Sequence, residues 1–62
     1  MTGAELRRWR ERLDWSQGRL AEALDVPVNT ISRWEMGYLP IRHGTMLRYA
    51  LLWLEQHPEH HP

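Results

Sequence analysis

The chain has 62 residues, eight Arg (there is no Lys) against eight Asp and Glu, and no cysteine. That length holds one small domain and excludes a doubly wound sheet, a barrel or a two-domain cleft, and the missing cysteines exclude a disulfide frame or a thiolate metal site. Zero net charge removes the overall basic signature common in nucleic-acid binders, so any such reading has to rest on where individual charges sit.

Thr2 opens the first predicted helix. Thr2-Gly3-Ala4-Glu5 has the spacing of a capping box, in which the hydroxyl and the carboxylate satisfy each other's backbone amides. Leu6, Trp9, Arg10 and Leu13 recur at i, i+3, i+4 and i+7 and define one face. Arg7–Glu11 and Glu5–Arg8 are spaced to pair weakly on the surface. Ser16 is a good N-cap for helix 2, whose apolar stripe is Leu20, Ala21 and Leu24. Val26 precedes Pro27 and is pushed toward extended geometry, so helix 2 ends before it, with Asp25 at the turn. Helix 3 starts near Pro27 and runs to about Met36, with Gly37 as a left-handed C-cap. Tyr38, Leu39 and Pro40 connect to helix 4, from about His43 to Gln56, which Pro58 stops. No strand alternation occurs. The expectation is an all-α, four-helix domain over residues 1–56 and a mobile tail over 57–62 with no apolar anchor.

Two charges fall on apolar faces. Arg10 lies between Leu6 and Leu13, and Glu35 shares the inward face of helix 3 with Ile31 and Trp34. Alone, each would be a costly buried charge. Together they suggest one ion pair fixing helix 3 against helix 1; the alternative is that both side chains reach water at the rim. The opposite face of helix 3 is small and polar. At about 100° per residue, Asn29 and Arg33 lie across from Ile31, Ser32 flanks them and Val28 stands at the N-terminal end. Arg can engage guanine O6 and N7, Asn adenine N6 and N7, and Val a thymine methyl. The same composition also suits a solvated helix surface.

The frame around these residues resembles the lambda-repressor-like family, the Cro/C1-type helix-turn-helix regulators. The match runs through Leu6-x-x-Trp9-Arg10-x-x-Leu13, Trp15-Ser16-Gln17-x-x-Leu20-Ala21 and Val26-Pro27-Val28-Asn29-Thr30-Ile31-Ser32-Arg33-Trp34-Glu35-x-Gly37 to Pro40, and covers about residues 2–56. The resemblance implies that helix 3 is a DNA recognition helix, with Val28, Asn29, Ser32 and Arg33 facing bases. It places Ser16, Gln17, Arg42 and His43 near the DNA backbone, with Gln17 either touching phosphate or bracing the recognition helix; Arg19, as a cation, and Thr30 complete the expected backbone-contacting set. It also matches Arg10 and Glu35 to an ion pair between helices 1 and 3. Two positions depart from the pattern: Asp25 stands where the family usually has Gly, and Pro27 where it usually has a capping residue.

Helix 4 carries more apolar surface than one core face uses. Met46, Leu47, Ala50, Leu51 and Leu54 are assigned to the core, while Tyr49, Leu52 and Trp53 extend the apolar arc beyond it. This excess suggests a homodimer interface; the alternative is that Trp53 folds back over helix 1. His57, His60 and His61 have no converging carboxylate or thiolate, so no metal site is expected, and no nucleophile–base pair suggests an enzyme. The expected function is a sequence-specific regulator of double-stranded DNA, a dimeric repressor on a roughly palindromic operator, needing no cofactor. Alternatives are a protein-interaction module using helix 4, and an antitoxin or controller component acting with a partner protein. No apolar run is long enough to span a bilayer and no signal-peptide pattern opens the chain, so a cytoplasmic location, on the nucleoid when bound to DNA, is expected.

Overall fold

The computed structural model describes residues 1–59. It contains α1 (Gly3–Leu13), α2 (Gln17–Leu24), α3 (Val28–Met36) and α4 (Gly44–Gln56), with no strand among the described residues. Each expected helix is present, with starts one residue later than the sequence suggests for α1, α3 and α4.

The caps explain the boundaries. The Thr2 hydroxyl accepts the Glu5 backbone N–H at 3.1 Å, but the Glu5 carboxylate accepts from Arg48 of α4 at 2.7 Å. The reciprocal half of the capping box is therefore exchanged for a bond between helices. That hydrogen bond, set against some desolvation, holds the Glu5 carboxyl below its ordinary value, and the Arg48 charge adds to the effect. Ser16 caps α2 by accepting the Arg19 amide at 3.1 Å. Asp14 and Asp25 close α1 and α2 in the left-handed region, at φ 59° and 58°, and Gly37 closes α3 at φ 81°. Asp25 thus takes the conformation for which glycine is the easier residue. Pro27 precedes α3 with no side-chain cap, so the first amides of α3 lack the partner that Ser16 supplies to α2.

Leu6, Trp15, Leu20, Ala21, Ile31, Leu51 and Leu54 form the buried core, with Trp9, Leu13, Leu24, Val26, Trp34, Ile41 and Leu47 packed around it. α3 packs against both α1 and α2. Two ion pairs link α1 to α4 in parallel order. Glu5–Arg48 ties the start of α1 to the middle of α4, and Arg12–Glu55, at 2.6 Å, ties their ends.

Gly3 marks a tight crossing. A Cβ there would collide with the Trp34 carbonyl oxygen and sit 2.9 Å from that of Glu35, so the first turn of α1 presses on the end of α3.

One expectation needs correction. Met46 is not a core residue: it is 71% exposed. Leu47, Leu51 and Leu54 take the inward face, and at about 100° per residue Met46 projects to the far side with Tyr49 and Trp53. Beyond α4, His57 and Pro58 make contacts with the helical domain. His57 stacks on Trp53 with ring centroids 3.9 Å apart and its Nδ1–H donates to the Trp53 carbonyl at 2.8 Å. Arg19 donates to the Pro58 carbonyl at 2.8 Å. Trp53 therefore meets His57 at the end of its own helix, while the rest of the expected tail, including His60 and His61, lies outside the described residues.

Candidate nucleic-acid interface

α3 is held from behind by one polar network. Arg10 Nε donates to Glu35 Oε2 at 2.7 Å and Arg10 Nη2 to Glu35 Oε1 at 3.0 Å, a two-bond fork between α1 and α3. Arg10 Nη1 donates to the Trp15 carbonyl at 3.0 Å, which brings in the α1–α2 connection. Gln17 Nε2 donates to Glu35 Oε1 at 3.1 Å, which brings in α2. The Glu35 side chain is 4% exposed and that of Arg10 16%. The pair is therefore internal, and the reading in which both reach water does not hold.

Burial opposes ionisation of Glu35, yet the hydrogen bonds from Arg10 and Gln17 and the nearby charges of Arg10 and Arg7 outweigh it. The carboxyl is held below its ordinary value. The same bond raises the Arg10 value against the opposing effect of burial. Both members are charged when the fold is intact, and one carboxylate binds three helices together.

This network fixes what α3 turns outward. Ile31 is fully buried, while Asn29 and Arg33 are exposed across from it, Ser32 is half-buried beside them and Val28 is exposed at the start. Asn29 and Arg33 share the outward side of α3, Ser32 borders it, Val28 is exposed at the first residue of the helix, and Thr30 is half-buried at the opposite margin. Arg42 and His43 are exposed immediately before α4, and Ser16 is exposed at the start of α2.

The remaining two expected backbone residues are engaged within the protein. Gln17 braces α3 through Glu35, using one of its two amide hydrogens. Arg19 lies over the Trp15 ring, 4.3 Å from its centroid, and holds Pro58, while its Nε is buried without a hydrogen-bond partner.

Two residues escaped the sequence reading. Trp15 is buried in the α1–α2 connection, where helical periodicity gives no signal. Met36 is 61% exposed on α3, and its side chain accepts a hydrogen bond from the Ser32 hydroxyl, Oγ to Sδ 3.6 Å. The angular arithmetic applied to Arg33 would have found it one turn beyond Ser32.

A groove of about 580 Å³ lies beside the turn, lined by Gly18, Ala21, Glu22, Asp25, Val26, Pro27 and Val28. Among the described residues no group of three or more His, Cys, Asp or Glu could hold a metal ion, and no helix is long and apolar enough to cross a membrane.

The helix, short turn and second helix with a polar outer face are the arrangement of a helix-turn-helix unit. A family model described as helix-turn-helix matches residues 6–50, more than half of the chain. No curated protein and no solved structure matches it. With α2, the turn and α3 all inside the matched segment, the chain belongs to the Cro/C1-type helix-turn-helix family of DNA-binding regulators.

Proposed function

We propose that the protein is a sequence-specific repressor that binds double-stranded DNA as a homodimer and reads the major groove with α3. The observation that carries this reading is the division of α3 into two faces. One is locked to α1 and α2 through Glu35; the other presents Asn29, Ser32 and Arg33, with Val28 at its start. A helix held this way needs little ordering on binding, and its polar side chains match base edges.

Backbone contact is assigned to Ser16, Thr30, Arg42 and His43, and to the first amides of α2 and α3. The second amide hydrogen of Gln17 can reach phosphate while the first stays on Glu35. Arg19 contributes only after it leaves Pro58. With no net charge, the protein depends on these placed donors rather than on a general basic field.

Dimerisation is assigned to α4. Met46, Tyr49 and Trp53 recur at i, i+3 and i+7 on the side away from Leu51, all exposed, with Leu52 beside them. A two-fold pair built on this stripe would set two recognition helices about 34 Å apart, one DNA turn.

Selection of bound sequences from a random duplex pool tests the whole reading, because it reports specificity and half-site spacing together. On the selected site, Arg33→Ala should cost about 1–3 kcal/mol and relax the choice at one base pair per half-site. A uniform loss across all single-base variants would make Arg33 a phosphate clamp.

A further inference from the structure

We propose that Met36 is a specificity-determining residue of the recognition surface, acting both directly and by setting the hydrogen-bonding sense of Ser32. The inference rests on the DNA-reading role assigned to α3.

Met36 has no part in the core. At about 100° per residue it lies about 140° from Ile31, between the positions of Asn29 and Ser32. With 61% of its surface exposed, it forgoes most of the stabilisation that burying a methionine provides. An apolar side chain kept outside, on the same side as the base-reading residues, extends that surface by one turn toward Gly37. Its methyl group suits the C5-methyl of thymine or the sugar edge, as Val28 does at the other end of the helix.

The sulfur does something more specific. The Ser32 hydroxyl donates to Met36 Sδ. A hydroxyl has one hydrogen and two lone pairs, so a Ser32 whose hydrogen is committed to sulfur meets DNA as an acceptor. In the major groove the base-edge donors are the amino groups at adenine N6 and cytosine N4, whereas guanine O6 and N7, adenine N7 and thymine O4 accept. Ser32 therefore selects an amino-bearing base edge, and Met36 is the reason.

The test uses the full chain, the selected duplex and every single-base variant of it, at one salt concentration. Ser32→Ala locates the base pair that Ser32 reads. Met36→Leu keeps a helix-favouring side chain of similar size but removes the sulfur acceptor. At that base pair the wild type should prefer the amino-bearing edge by about 2- to 10-fold, the range of one hydrogen bond. Met36→Leu should bring the ratio toward one, chiefly by improving binding to acceptor-bearing variants, because the released hydroxyl can now donate. The double variant should discriminate no better than Ser32→Ala. An unchanged ratio in Met36→Leu, or no base pair at which Ser32→Ala loses discrimination, overturns the proposal and leaves DNA reading by α3 standing. A wild-type protein that prefers no duplex overturns both.

Discussion

Removing the Arg10 side chain is the most direct test of how α3 is held. In Arg10→Ala, Glu35 keeps one hydrogen bond from Gln17 but loses two from the guanidinium, and the Trp15 carbonyl loses its bond from Arg10. At 4% exposure Glu35 cannot recover this in water. Stranding one member of a fully buried pair costs about 3–5 kcal/mol, and this pair, with 16% of the Arg10 side chain exposed, belongs at the lower end, while a domain of this size has a total stability of about 3–9 kcal/mol. At about 4–8 °C per kcal/mol, the thermal midpoint should fall by at least about 12 °C, or the cooperative transition should vanish. Circular dichroism melts and urea titrations followed by tryptophan fluorescence would measure it. The control is Arg10→Met with Glu35→Leu, which removes both charges and should recover much of the loss. The Glu35 value is depressed in the folded state. Its contribution is therefore present above the ordinary glutamate value, about 4.3, and lost as pH falls through the lower folded value. Glu35→Gln should remove that acid-sensitive component. An Arg10→Ala variant that melts with the wild type would refute the reasoning.

Three further outcomes are expected. Gly3→Ala should lower the melting temperature although alanine favours helix by about 1 kcal/mol, because the added methyl meets the Trp34 and Glu35 carbonyls; a higher melting temperature would show that α1 shifts without cost. Asp25→Gly should stabilise by about 0.5–1 kcal/mol by relieving the left-handed turn, seen as a higher urea midpoint, and a lower midpoint would assign the Asp25 side chain a stabilising role. Trp53→Glu should weaken self-association by about 2 kcal/mol or more with the fold intact, measured by sedimentation equilibrium, and a wild type that stays monomeric at high micromolar concentration, alone and on DNA, refutes the α4 interface.

The sequence was legible where one local rule decided the outcome. The caps at Thr2 and Ser16, the end of α2 before Val26-Pro27 and the closing Gly37 are contests settled within four or five residues. Arg10 and Glu35 were legible for a different reason, because a charge on an apolar stripe needs a partner and only one candidate stood on a facing stripe. Other contacts between residues far apart in the chain were not legible. Nothing in the local pattern says that Glu5 prefers Arg48 to its own cap, that Arg12 reaches Glu55 or that Arg19 holds Pro58. Met46 was misplaced because an apolar residue at the edge of a stripe can turn either way, and neighbouring helices decide which. Met36 was missed because the outward face of α3 was followed only as far as Arg33.

The two-bond fork on Glu35 also bears on how finely α3 can be aimed. A helix seated on aliphatic side chains alone can roll about its own axis with little penalty, since contacts with Ile31 have no preferred direction. A roll of about 20° would carry a side-chain tip about 6 Å from the axis sideways by about 2 Å, well outside the roughly 0.5 Å within which a binding constellation must be held. The planar guanidinium permits no such roll without breaking one of its bonds to the carboxylate. Arg10 thus acts as an angular stop, and the outward residues of α3 inherit its precision without touching it.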